Sequence, residues 1–272
     1  MPNTCVFCKA AETSREHVVG EWVGKLFPEE QQSTYGIMRA NGDIISFQRK
    51  PFDLKVKVVC VNCNTGWMSD LETAVMSRLG PMIQSARATR LTPCFQSTLA
   101  TWAVKTALMM EYLHPAPRVI PDTEYAALYA QQQPSQRYLV FISRWDPQID
   151  TSSRALVIGH SNLVNKLPIN TYPSRASREE AERLRKGFRD GTYIVFDSKF
   201  AIGHVAFAIL GHNAPATLHL GMSLRFLEFG HRIWPVNHSL TWPPKRILGE
   251  NTGTLEEFLA ESDGKTEQEP TP

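Results

Sequence analysis

Apolar positions in the first hundred residues shift from a period of two to a period near 3.6, and the shift divides strands from helices. Leu54-Lys55-Val56-Lys57-Val58-Val59 alternates apolar with basic residues, which predicts a half-buried strand. Ile44-Ile45-Ser46-Phe47 predicts another, with Asn41-Gly42 just before it as a hairpin-type turn signal. Glu21 to Phe27 reads as a short amphipathic helix stopped by Pro28. After Cys63, residues Trp67, Met68, Leu71, Val75 and Leu79 share one helical face, and Gly80-Pro81 marks the expected stop. A longer helix follows, with Leu99, Trp102, Ala103, Thr106, Met109, Met110 and Leu113 as its buried stripe. His114-Pro115-Ala116-Pro117 should end it and the first domain.

Residues 118–255 mix strands with helices. Strands are expected over Tyr138–Ile142, Ala155–Ile158, Tyr193–Phe196, Val205–Leu210 and around Leu224 to Phe229. Ser177 to Arg189 reads as a charged helix with Ser177 and Glu180 in capping-box spacing. Its arginines and Lys186 suit either phosphate contact or a solvated face balanced by Glu179, Glu180 and Glu182. Residues 256–272 form a polar, acidic tail expected to be disordered. The fold class is therefore α+β: an N-terminal region over residues 1–117, a mixed accessory or target-recognition region over 118–255, and the tail.

Charge sharpens this picture. Residues 1–250 hold 28 Lys and Arg against 21 Asp and Glu, a balance of +7, while the remainder stands at −5. A mildly basic body with an acidic end is compatible with a nucleic-acid partner. No apolar run approaches the ~20 residues that span a membrane, so no membrane partner is expected. The chain begins Met1-Pro2-Asn3 without a basic-then-apolar leader, which favours a cytoplasmic setting.

The cysteines carry the chemistry. Cys5-Val-Phe-Cys8 and Cys60-Val-Asn-Cys63 each place two thiols on one tight turn, and together they complete a closed sulfur shell suited to structural zinc. Disulfides or a redox motif are the alternatives, and a cytosolic setting disfavours the former. Cys94 is expected to be a small core residue. A zinc with four sulfurs offers no open position, so any reaction must lie beside it, at Arg15-Glu16-His17 and Asn64. Phosphodiester hydrolysis needs a base and a hard cation. His17 suits the base, and the oxygens of Glu16 and Asn64 suit Mg²⁺ or Mn²⁺. Arg15, Lys55 and Lys57 are candidate phosphate contacts. The histidines of the second region, and Trp234, Trp242 and Phe229, fit structural roles better than a site.

In order and spacing, Cys5-x-x-Cys8, Ser14-Arg15-Glu16-His17-Val18-Val19 and Cys60-x-x-Cys63-Asn64 resemble the zinc-containing branch of the HNH endonucleases, the ββα-metal or His-Me group. The resemblance covers about residues 5–80. It implies a zinc-stapled ββα-metal unit with His17 as general base and Glu16 and Asn64 as ligands of the catalytic divalent metal. It implies an endonuclease, with DNA as the expected substrate, in phage defence or on a mobile element. The chain departs from the pattern at Glu16, where Asp is usual, at Gly20, where Pro is common, and at Trp67, where a basic residue is frequent. No His follows Asn64 within the next helical turn. A zinc module that binds nucleic acid or a protein partner without catalysis is the second expectation.

Overall fold

The computed structural model describes residues 4–28, 33–38, 44–49, 52–113, 118, 120–145, 156–161, 195–212 and 230–244, with isolated positions between 179 and 193. The chain is a mixed α/β protein with the four-cysteine cluster near its N-terminus. Strand β1 (Ser14–His17) pairs antiparallel with β4 (Lys55–Val59), with Glu16 opposite Val56 and His17 opposite Lys55. Between them lie a short helix α1 (Glu21–Gly24) and the hairpin β2 (Ser33–Met38) and β3 (Ile44–Arg49). From β4 the chain enters α2 (Val61–Cys63), a wider π-type turn over Asn64–Met68, and α3 (Ser69–Ser85).

Two expected helix boundaries are wrong. Helix α1 closes after Gly24 rather than at Pro28, and Lys25 to Phe27 continue only as turns. Helix α3 runs through Gly80-Pro81 to a left-handed cap at Ala86. An interior proline loses its own N–H bond and crowds the carbonyl four residues back, so the continuation of α3 depends on its packing. Met82 and Ile83, just beyond Pro81, are buried in the core, and Gly80 lies beside Trp22 and Leu26.

After β5 (Thr89–Leu91) comes α4 (Pro93–Met110), started by Thr92, whose hydroxyl accepts from the Phe95 amide, and by Pro93 in the first turn. Every residue from Leu99 to Met110 is buried, so α4 is a central helix and not one with a single buried stripe. Cys94 is exposed, on the outer side of its first turn, and not in the core. Helix α5 (Asp122–Gln131), which apolar spacing does not reveal, follows, with β6 (Tyr138–Arg144) after it.

The second part of the chain is built on an antiparallel sheet in the order β10-β6-β9-β8-β7. Its other strands are β7 (Leu156–Ser161), β8 (Val195–Ile202), β9 (Val205–His212) and β10 (Gly230–Trp234). Trp102 of α4 lies against Phe200 and Phe207 of this sheet. Strand β11 (Leu240–Trp242) returns to pair with β5, and Gln96 donates to the carbonyls of both Leu91 and His238. Trp234 and Trp242 are core residues. The turn expected at Asn41-Gly42, the strand expected around 224–229, most of the 177–189 helix and the acidic tail lie outside the described residues. No helix among the described residues is long and apolar enough to cross a membrane.

A buried charge cluster joins β1, α1, α3 and α4. Lys105 of α4 is fully buried and donates to Glu72 Oε1 at 2.5 Å. Glu72 Oε2 accepts from the indole nitrogens of Trp22 at 2.5 Å and Trp102 at 2.8 Å. A Cβ at residue 20 would stand 2.4 Å from that oxygen, which is why glycine and not proline precedes α1. Glu16 also lies within the field of this cluster. Removing one partner of a buried pair strands the other charge. Lys105→Met should therefore destabilise the protein by about 3–5 kcal/mol in denaturant unfolding. Adding Glu72→Leu should restore part of that loss, and a double variant as unstable as the sum of the two single ones would contradict the pairing.

Candidate metal centre and the strand beside it

The first cysteine pair sits on a turn closed by the Cys5 amide donating to the Ala10 carbonyl and the Lys9 amide donating to the Cys5 carbonyl. Lys9 adopts φ 63°, the left-handed conformation such a turn demands. The Val6 amide donates to the Val58 carbonyl and lays this turn along β4. The second pair spans α2, where the Cys60 sulfur accepts from the Cys63 amide at 3.4 Å. The four sulfurs all lie within 4.8 Å of one another, and Cys8 and Cys60 approach to 3.5 Å. All four cysteines are free thiols. A tetrahedral zinc at ~2.3 Å from each sulfur needs separations of about this size, so the cysteines are positioned to bind a metal.

The acidities of the thiols differ with their surroundings. Backbone amides at Cys8, Cys60 and Phe7 outweigh the burial of Cys5 and bring its thiol down to about 7. Burial, and then the neighbouring cysteines Cys8 and Cys5, push Cys63 far up. Four such groups cannot all ionise together unless a positive charge sits among them. We expect one equivalent of zinc in protein purified without added metal, measured by elemental analysis. Cys60→Ser should lose the metal and unfold the first region, because binding and folding are coupled in such turns; a folded protein without metal would refute this.

Beside the cysteines, the β1–β4 pair has two distinct faces. Alternation turns Glu16 and Val56 inward, while Arg15, His17, Lys55 and Lys57 lie toward solvent. Asn64, at the start of the π-type turn, donates from Nδ2 to the Arg15 carbonyl at 3.4 Å and to the Ser14 hydroxyl at 3.5 Å. Asn64 is thus tied to β1 at Ser14 and Arg15, where the pairing with β4 shifts register, while Glu16 is buried and its neighbour His17 is half-buried. His17 Nε2 lies 3.5 Å from Asp53 Oδ1, and Asp53 in turn holds Lys55 at 2.7 Å. Asp53 was not a sequence candidate; it sits on the bend before β4, which no motif marks.

Burial, then Lys55, holds His17 below its usual range against the opposing pull of Glu21 and Asp53. A neutral imidazole able to take a proton is the result. Glu16 is 8% exposed, and burial raises its carboxyl to about 7, with Lys105 opposing and Glu72 reinforcing the shift. Its folded value exceeds its unfolded one, so the folded state binds the extra proton. That contribution is complete below pH 4.5 and is lost as pH rises through 7. Glu16→Gln should therefore gain on the wild type as pH rises across this window, by on the order of 3 kcal/mol at pH 8. Thermal unfolding without magnesium or manganese reads this directly, and a difference independent of pH would contradict it.

No protein-family model matches the chain, and comparison with curated proteins and with solved structures gives no match.

Proposed function

We propose that the protein is a metal-dependent endonuclease that hydrolyses phosphodiester bonds of nucleic acid, with DNA as substrate, and that the four-cysteine zinc is its scaffold. The observation that carries this reading is the way Asn64 is tied to β1 at Arg15, one residue from the Glu16-His17 pair. A strand bearing an acid and a histidine thereby meets the helical turn bearing a second ligand, beside the four cysteines.

The roles follow from the chemistry of each group. Glu16 and Asn64 are the ligands for Mg²⁺ or Mn²⁺, whose charge would draw the buried carboxyl of Glu16 into its ionised form. The metal would stabilise charge on the phosphate and the leaving oxygen. His17, last residue of β1, takes the proton from the attacking water, and Asp53 orients its ring. Arg15, Lys55 and Lys57 line the exposed face with His17 and attract the phosphate backbone. The scissile phosphate must then sit at the end of β1, where both sides of the strand are within reach.

The second reading, a zinc module that binds nucleic acid without cutting it, draws on the opposite orientation of Glu16 and His17 along the strand. One experiment separates the two. Wild-type protein with Mg²⁺ or Mn²⁺ should nick supercoiled plasmid, and His17→Ala should lower the rate by ~10²–10⁴-fold while zinc content and DNA binding persist. Binding without cleavage by the wild type, or equal cleavage by both proteins, would favour the second reading.

A further inference from the structure

Where the HNH pattern often has a basic residue, three positions after Asn64, this chain has Trp67, and its side chain belongs to the metal centre. Trp67 leaves the π-type turn that directly follows Cys63. Its ring meets Phe7, which lies between the first two cysteines, edge-on at 5.0 Å. Tyr129 of α5, itself exposed, lies 6.1 Å from the same ring. Beside these rings the indole Nε1 is buried and lacks a hydrogen-bond partner. A buried N–H without an acceptor is costly, and such groups in native proteins call for an explanation. The acceptor chemistry beside it is that of the cysteine sulfurs: Trp67 follows Cys63 by one helical turn, and its ring packs on Phe7 between Cys5 and Cys8.

We infer that Trp67 is an outer ligand of the four-cysteine centre: its indole N–H donates to the Cys63 sulfur of the bound metal, and its ring shields that sulfur between Phe7 and Tyr129. A metal thiolate carries more negative charge than a thiol and is the better acceptor. The bond would draw charge from Cys63, strengthen retention of the metal and fix the turn that also bears Asn64. Trp67 is a positioning residue in this scheme. The inference rests on the metal reading of the cysteines and is independent of any cleavage activity.

Cobalt-loaded protein tests it. Trp67→Phe keeps a ring and removes the N–H. It should move the sulfur-to-cobalt charge-transfer band to lower energy while the tetrahedral d–d envelope stays unchanged. Zinc should also pass to a competing chelator about 10–100-fold more readily than from the wild type. A charge-transfer band and zinc affinity that match the wild type would overturn the inference and leave the metal centre intact. No cobalt–thiolate band in the wild type would overturn it together with the metal reading. A wild-type measurement covers a variant that fails to fold: in cadmium-113 protein labelled at the indole nitrogens, one indole proton should couple to the metal through sulfur. No coupled indole proton would overturn the assignment.

Discussion

Four thiols held within 4.8 Å of one another are the constraint on which the first half of this chain depends. Left as thiols they would gain little from such crowding, and as thiolates they would repel. A cation at their centre would convert both costs into attraction, and would do so between segments more than fifty residues apart. The turn before β1 and the turn after β4 are thereby drawn together. The Val6 and Val18 amides, donating to the Val58 and Leu54 carbonyls, then close the strand pair from either end. A two-stranded pair alone is marginal in water; packing of Val56, Val58 and Val59 into the core supports it, and a metal crosslink would add to that.

From that crosslink the rest of the candidate site takes its place. The second cysteine pair launches the π-type turn, which hands Asn64 to the backbone of Arg15 and Trp67 to the ring of Phe7 between Cys5 and Cys8. On the inner side, Glu72, Lys105 and two indole N–H groups build a polar knot that fixes α3, α4 and α1 around Glu16. On the outer side, Asp53 links His17 to Lys55 among basic neighbours. The pleat of one short strand thus separates a buried acid from a half-buried base.

Much of this was legible in the sequence where the signal is local. The Cys-x-x-Cys spacing marked the metal ligands, and the alternation at Lys55–Val59 marked both a strand and its exposed basic face. Long-range partners were not legible. Lys105 reads as an ordinary helical lysine until Glu72, thirty-three residues away, is placed against it. Strands β5 and β11 are three residues each and exist only because they pair across the chain. Gly80-Pro81 looked like a stop because local propensity favours one, whereas burial of Met82 and Ile83 in the core rewards continuation. The side of β1 on which each residue lies follows from period two, yet which side is inner depends on α3 and α4.

The central claim is that a metal among the four sulfurs holds β1, β4 and the Asn64 turn together. Amide hydrogen exchange, compared between zinc-loaded and zinc-stripped protein, tests it most directly. The account predicts that the amides of Val6, Val18 and Asn64, which donate to Val58, Leu54 and Cys60, are protected with zinc and exchange freely without it. Equal protection of those three amides in both forms would contradict it.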